Sequence, residues 1–443
     1  MLIAALFCLL QSCKKTSTEI QENDDALNDE NLAAASNAPN IVIFIGDDIG
    51  YEIPTVNGGQ SYITPNIDAL AQSGLRFTQC YASANCSPSR TMLLTGKYNF
   101  RNYVDWGTLP KTNLTIGNLI KNAGYNTCYV GKWQLDGGDT SIRTFGFDKY
   151  SVWLPYKLDP EESGGSRYKD PPIYQKAKFL PSSGTQGKYS VDMFTSFALN
   201  FIKNNKRKPF FLYYAMPLCH KPLTPTPDDP LFAAWDFTNG GYTFFPEMVT
   251  YMDKQVKILR DSIRAAGQEN NTIFVFVGDN GTPKGVKSYF KDSLISADKG
   301  ETTTYGTHVP LIISWPGHIT AGRVTNQLVD FTDFLPTLSD IASTTVSSSY
   351  GIIDGKSFYS VLNGSNYSTR DYVFNQFQPF PITSTAPAVR YAQDSVYKQY
   401  DGGSFYNIVT DVHELKPIPT NKMTPAEKAK QTYFLQIISQ MHN

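Results

Sequence analysis

Residues 40–50 read NIVIFIGDDIG. The consecutive apolar side chains Ile41 to Ile45 leave no polar face, which suits a strand buried on both sides rather than the alternating strand of a half-exposed sheet. The run ends at Gly46-Asp47-Asp48, so a buried strand delivers two acids at its carboxyl end. Outward from it, strand-like and helix-like stretches alternate. TPNIDALAQSG (64–74) predicts a short helix with Thr64 as N-cap, Pro65 in the first turn and Gly74 as stop. LTIGNLIKNAG (114–124) predicts a helix, and YNTCYVGKW (125–133) a strand ending at Lys132. PFFLYYAMPLCHKP (209–222) predicts a strand that delivers Cys219 and His220. Val249, Met252, Val256, Leu259 and Ile263 then share one helical face, with Gly267 as the stop. NTIFVFVGDNG (271–281) and HVPLIISWPG (308–317) are further apolar strands. The alternation predicts an α/β fold, a large mostly parallel sheet flanked by helices, whose ligand site lies beyond the carboxyl ends of the strands.

The chain has 443 residues, a formal net charge of −1, 41% hydrophobic and 18% charged residues. That length can bury a large core without disulfide or metal staples, and the charge gives no footprint for nucleic acid. The opening MLIAALFCLLQSC is apolar but too short to span a bilayer. It resembles a bacterial lipoprotein signal with Cys13 as the lipidated residue, which predicts an exported lipoprotein, periplasmic or outer-membrane anchored; the competing reading is a buried N-terminal helix. The polar, acidic stretch 14–38 predicts a disordered tether. Residues 39–345 would then form the catalytic α/β domain and 346–443 a small C-terminal α+β subdomain. The latter closes on TPAEKAKQTYFLQIISQM (424–441), with a Thr424 to Glu427 capping box and an apolar stripe of Phe434, Ile437, Ile438 and Met441. Residues 151–187, rich in Pro, Gly, Tyr and Lys, predict long loops of the kind that carry substrate contacts; Trp153, Tyr156, Tyr168 and Tyr174 either stack on sugar rings or pack the loop.

Asp47-Asp48 and Asp279-Asn280 follow two buried strands at equivalent places. Either pair alone reads as a cap or turn; together they form a hard oxygen set suited to Ca²⁺ or Mg²⁺. Arg90, Lys132, His220 and Lys299 lie just past strands or in glycine-containing turns. Singly each reads as surface charge, or His220 as a satisfied half-buried histidine. Gathered round a divalent metal they make a pocket for a compact oxyanion. Wide, irregular spacing of Cys80, Cys86, Cys128 and Cys219 supports neither a disulfide framework nor a zinc site.

CSPSRTMLLTG (86–96) holds Cys-x-Pro-x-Arg followed by Leu94-Thr95-Gly96, and this resembles the maturation signature of the type I, formylglycine-dependent sulfatases. The resemblance runs in order through IVIFIGDDIG, TPNIDALAQSGLRFTQCYA, AGYNTCYVGKW, YMDKQVKILRDSI, NTIFVFVGDNGT, KGETTTYGTHVPLIISWPG, LVDFTDFLPTLSDIAS and IDGKSFYSVLNG, from Ile41 to about Leu362. It implies an alkaline phosphatase-like fold and a sulfatase acting on sulfate esters of a carbohydrate, a sulfated small molecule or glycan. Cys86 would be oxidised by a formylglycine-generating maturase to an aldehyde whose hydrate attacks sulfur and later expels sulfate through its second hydroxyl. Asp47, Asp48, Asp279, Asn280 and the modified Cys86 would hold Ca²⁺. Arg90 would steady the nucleophile and carboxylates, Lys132, His220 and Lys299 would bind sulfate oxygens, and His220 with Lys299 would protonate the leaving group.

Two departures stand out. Where the family commonly has Gly-Lys-Trp-His, this chain has GKWQ, so Gln134 occupies the position and cannot accept a proton near neutral pH. Where the family has Glu-Gly-Gly-x-Arg, this chain has TYGTH, placing His308 at the arginine position and offering it as a substitute base or as a histidine leading into a core strand. The competing functional readings are a formylglycine-dependent phosphonate or phosphodiester hydrolase and a non-catalytic sulfated-glycan binding protein.

Overall fold

The computed structural model describes residues 38–153, 166–364 and 370–441. The expected signal 1–13, all but the last residue of the tether and Tyr156 lie outside them. The strands of the main sheet are β1 (Asn40–Gly46), β2 (Leu75–Tyr81), β3 (Asn126–Lys132), β4 (Lys149–Trp153), β5 (Ile173–Gln175), β6 (Lys178–Phe179), β7 (Phe210–Ala215), β8 (Thr272–Gly278), and, beyond the small hairpin of β9 (Lys287–Phe290) and β10 (Ser293–Ser296), β11 (His308–Ser314) and β12 (Arg323–Asp330). They form one ten-stranded sheet in the order β12-β2-β11-β8-β1-β7-β3-β4-β5-β6. β1 runs parallel to both neighbours, β7 and β8, and β3 runs parallel to β7 and β4. The sheet is mostly parallel as expected, and among its central strands β11 runs antiparallel to both β8 and β2. Its direction depends on a long-range pairing that the composition of the strand does not encode.

β1 shows why its apolar run has no gaps. Ile41, Ile43 and Ile45 face one core layer and Val42 and Phe44 the other, all fully buried. Each such side chain contributes about 1.5–3 kcal/mol of burial free energy. The second layer is covered by α1 (Pro65–Gln72), and the first by α2 (Cys86–Thr95) and α3 (Ile116–Asn122). Further along the chain α4 (Ser190–Asn204) and α5 (Phe245–Ala265) join the second layer, while α6 (Phe334–Ile341) joins the first. The expected stripe of α5 is buried throughout, from Val249 to Ile263. Thr64 does stand at the N-cap of α1, but its side chain makes no capping bond. Asp253 of α5 takes that role, accepting from Asn66 N (3.1 Å) and Ile67 N (2.8 Å), so the helix start is capped from a distant helix.

The C-terminal part is an antiparallel sheet of β13 (Val373–Phe377), β14 (Val389–Gln393), β15 (Tyr397–Tyr400) and β16 (Phe405–Asn407), packed on α7 (Pro425–Gln440). The Thr424 to Glu427 capping box forms as expected. Phe374, Phe405 and Phe434 belong to the same apolar layer as Ile41 and Phe77, so this small α+β unit shares the main core. The buried Arg370–Asp333 ion pair ties it to the body.

Candidate active site

The acidic pairs converge because their strands are in register. Gly46 pairs directly with Gly278, so Asp47-Asp48 and Asp279-Asn280 leave β1 and β8 side by side. Gly278 is required there: a Cβ would lie 2.0 Å from the Ile49 carbonyl oxygen as the chain turns back over β8. Asp48 sits at φ 62, a left-handed conformation costly for a side-chain-bearing residue and typical of functional turns. Its N–H donates to Asp279 Oδ1 (2.9 Å), and Asn280 Nδ2 donates to Asp48 Oδ1 (2.9 Å). Thr282 Oγ1 accepts from Gly50 N (3.1 Å) and donates to the buried Glu52 carboxylate, bracing the turn from below.

The cations reach the same point from four other places in the chain. Lys132, the last residue of β3, is fully buried and donates to Asp47 Oδ2 (2.7 Å). Arg90, one turn into α2, donates from Nε to Asp279 Oδ2 (2.9 Å) and places Nη2 3.8 Å from Asp47 Oδ2. Lys299 pairs with Asp48, and Gly300 N donates to Ala84 O (2.9 Å), fastening the lysine loop to the segment that leads into Cys86. Backbone pairing continues past β1 and β7, with Asp47 N donating to Leu218 O (2.9 Å), and this brings in His220. The His220 Nδ1 donates to the Lys221 carbonyl (2.7 Å).

Cys86 opens α2 as expected and is fully buried. Its Sγ lies with an Asp47 oxygen and a His220 ring nitrogen in a group whose atoms are all within 4.8 Å of one another. The thiol donates to Gln134 Oε1 at 3.6 Å, and Gln134 itself is held at φ 54. The acidic pairs, the four cations, Cys86 and Gln134 thus fall in one cluster. Cys80, Cys128 and Cys219 are free, buried thiols within the core.

The cluster's electrostatics favour a cation among the carboxylates. Burial alone would raise the Asp47 carboxyl, but Lys132, His220, Arg90 and Lys299 outweigh it and hold it well below the usual range. Burial raises Asp48, and burial with the Asp47 charge raises Asp279 to about 6. Three buried side-chain oxygens, Asp47 Oδ1, Asp48 Oδ2 and Asn280 Oδ1, have no hydrogen-bond partner. Buried polar atoms are rarely left so, and hard oxygens from Asp47, Asp48 and Asp279 within 4.8 Å of each other fit Ca²⁺ or Mg²⁺. Arg90, Lys132 and Lys299 already balance the three carboxylates, so a divalent ion would leave excess positive charge for an anionic ligand. Burial, then Arg167, Lys299 and Lys132, push His220 well below its ordinary pKa.

Sequence reasoning missed Arg167, which lies in the loop region and whose charge acts on His220; of the two readings open for the loop aromatics, Tyr168 and Tyr174 take the packing one. Tyr168 is fully buried and stacks on Tyr189; Tyr174 is buried against Tyr150 and Phe179. Both pack the protein rather than offer a face to a sugar. His308 is likewise engaged. Its ring is stacked on Tyr51 (4.0 Å between centroids) and Tyr81 (4.9 Å), and its Nε2 donates to Thr78 O (3.0 Å). Those contacts make it part of the packing between β2 and β11, not a base beside Cys86. Enclosure lowers its pKa to about 4. The unfolded chain, where histidine titrates near about 6.5, therefore takes up the proton first. The His308 contribution to stability is complete above that value and is lost as pH falls towards 4. His308→Phe is expected to flatten this part of the acid-unfolding profile and to leave kcat/KM near the parent value, as read by thermal midpoints across pH and by steady-state rates.

Comparison with known proteins matches the sulfatase family model over residues 39–344 and the model described as N-sulphoglucosamine sulphohydrolase, C-terminal, over residues 298–440. An arylsulfatase of Hemicentrotus pulcherrimus is 31% identical over 350 residues, 73% of this chain and 62% of that protein, so the chain spans under two thirds of that relative. Among solved structures, Ps i-CgsB in complex with k-i-k-neocarrahexaose superposes with a TM-score of 0.75 at 24% identity, covering 91% of this chain and 92% of that one. The phosphonate monoester hydrolase of Agrobacterium radiobacter gives 0.63 at 19% identity, covering 89% and 94%. Those two likenesses concern the fold alone. The family model, covering most of the chain, and the arylsulfatase relative decide the matter: this protein belongs to the sulfatase family.

Proposed function

We propose that this protein hydrolyses sulfate esters of a carbohydrate, using a formylglycine made from Cys86 beside a Ca²⁺ ion held by Asp47, Asp48, Asp279 and Asn280. The observation that carries the reading is the meeting of Cys86, at the start of a buried helix, with unpartnered carboxylate and amide oxygens inside a ring of cations. Family membership supports the reaction class, and the glycan bound by Ps i-CgsB supports the substrate class.

The hydrated formylglycine supplies an oxygen nucleophile, and the ion supplies positive charge against the sulfate oxygens. The chain's own residues do the rest. Arg90 spans Asp279 and Asp47 and fixes two ligands against their mutual repulsion. Lys132 and Lys299, with the amide dipoles at the start of α2, bind the sulfate oxygens. Because the Nδ1–H of His220 is committed to the Lys221 carbonyl, Nε2 is the atom that handles the leaving-group proton. A bound sulfate, being anionic, offsets the cations that depress the His220 pKa, and Lys299 is the second donor. Gln134 hydrogen-bonds and orients the group at position 86 without taking its proton.

The test is sulfate release from 4-nitrophenyl sulfate by protein co-expressed with a formylglycine-generating maturase, beside its rate on a phenyl phosphonate ester. Faster cleavage of the sulfate ester supports this reading. Preference for the phosphonate ester would assign the site to phosphonate hydrolysis, and binding of sulfated glycan without release would assign a binding protein. Removing metal with a chelator is expected to lower the thermal midpoint, with Ca²⁺ restoring it more fully than Mg²⁺ at equal concentration, since ligand binding to the native state stabilises it. We also propose export and lipid anchoring through Cys13, which the short apolar run ending at that residue supports. Cys13→Ser is expected to move the protein from the membrane to the soluble fraction of cells.

A further inference from the structure

Beside the cluster lies a cavity of about 480 Å³, within the size range of ligand pockets. It is lined by Trp153, Arg167, Lys169, Pro222, Trp235 and Phe237 among others. Its position follows from the sheet: Trp153 is the register partner of Lys132 on the adjacent strand, and Pro222 is two residues past His220. Arg167 lies over Trp153, its guanidinium carbon 4.4 Å from the ring centroid. Its Nε and Nη1 are buried and have no hydrogen-bond partner. The neighbouring residue fixes this placement, because Tyr168 Oη donates to Pro217 O (3.0 Å) and to the His220 carbonyl. The arginine is thereby latched to the histidine loop itself.

Other charged groups of this cavity are already engaged. Lys169 donates to Ala233 O (2.8 Å), Asp170 accepts from Gly187 N, and Asp236 accepts from Thr238 N (3.0 Å) and Asn239 Nδ2 (2.8 Å). Among the described residues no carboxylate pairs with Arg167. A partly buried guanidinium with two donors left open costs stability, and an oxyanion presented edge-on answers its planar fork. Trp235 and Phe237 add apolar wall against which the carbon face of a sugar can lie.

We propose that Arg167 and this cavity form a subsite for a second oxyanion on the substrate, a sulfate half-ester or a carboxylate carried by the sugar next to the one whose sulfate is cut. The proposal rests on the sulfatase reading and narrows it: the glycan is polyanionic, and Arg167 selects for its second charge. Arg167 binds and positions; no chemistry passes through it.

The test measures binding rather than turnover. Full-length Ca²⁺-loaded Cys86→Ala protein is titrated by calorimetry with defined disaccharides bearing one sulfate ester, two sulfate esters, or one sulfate ester and one carboxylate. The doubly anionic compounds are expected to bind about 10- to 100-fold more tightly than the singly sulfated one, the scale of a lost charge-assisted bidentate contact. Whichever of the two binds tighter identifies the second anion. In the Arg167→Gln background this preference should vanish, and Arg167→Lys, keeping charge without the fork, should restore only part of it. Equal affinity for all three disaccharides, a preference that survives Arg167→Gln, or no binding by any of them overturns the subsite. If matured parent protein still cleaves 4-nitrophenyl sulfate in those cases, the sulfatase reading stands without it. A preference that depends on Arg167 in protein that never releases sulfate keeps the subsite and removes the hydrolase.

Discussion

Cys86→Ala, expressed beside a formylglycine-generating maturase, is expected to lose sulfate release by at least about 10⁴-fold, the scale seen when a covalent nucleophile is deleted. The fold should hardly notice. The Cys86 side chain is buried but makes only a weak sulfur contact to Gln134, so the change leaves a cavity no larger than a methyl group and costs about 1 kcal/mol. The informative result is the split between readouts: activity gone, thermal midpoint nearly intact, and the Ca²⁺ response weakened but kept, since four of the five expected ligands remain. A proportionate fall in stability would instead mark Cys86 as a packing residue.

Asp47→Asn should behave in the opposite manner. Asp47 is fully buried and receives Lys132 at 2.7 Å with Arg90 at 3.8 Å, and Lys132 is as buried as its partner. Neutralising the carboxylate strands a desolvated ammonium, a change that typically costs about 3–5 kcal/mol. It also removes the carboxylate that carries one of the three unpartnered oxygens offered to the metal. The variant is therefore expected to unfold at markedly lower denaturant, to lose most of its Ca²⁺-dependent stabilisation, and to lose activity by at least about 10³-fold. Denaturant midpoints with and without Ca²⁺, beside steady-state rates, separate these effects. Unchanged stability would contradict the burial and pairing described for Asp47.

The difference between the two variants reflects what a sequence can reveal. Asp47-Asp48 and Asp279-Asn280 were legible because each follows an uninterrupted apolar run, and such runs make neighbouring parallel strands whose ends coincide. The register of Gly46 with Gly278 turns that expectation into contact. Cys86 and Arg90 were legible together through the resemblance of Cys-x-Pro-x-Arg to a maturation signature, and α5 and α7 through their apolar period and, for α7, its capping box. The antiparallel course of β11 was not legible, since a buried strand carries the same apolar composition in either direction. Nor was the capping of α1 by Asp253, which is contributed across 186 residues of chain. Arg167 escaped for a similar reason. It sits in an irregular segment with no period, and only the reach of Tyr168 to the Pro217 and His220 carbonyls shows that the segment folds back on the site. His308 kept two readings in the sequence because position relative to a family motif says nothing about neighbours, and the structure takes the one that leads into a core strand. The tyrosines that enclose its ring come from β2 and from the turn after β1.

These readings converge on the modification of one side chain. The most direct measurement is the mass of the tryptic peptide from Phe77 to Arg90, taken from protein co-expressed with a formylglycine-generating maturase. The account predicts that the Cys86 thiol is replaced by an aldehyde. An unmodified cysteine, with the same maturase converting a control sulfatase, would contradict it and leave the cluster as a metal and anion binding site without its nucleophile.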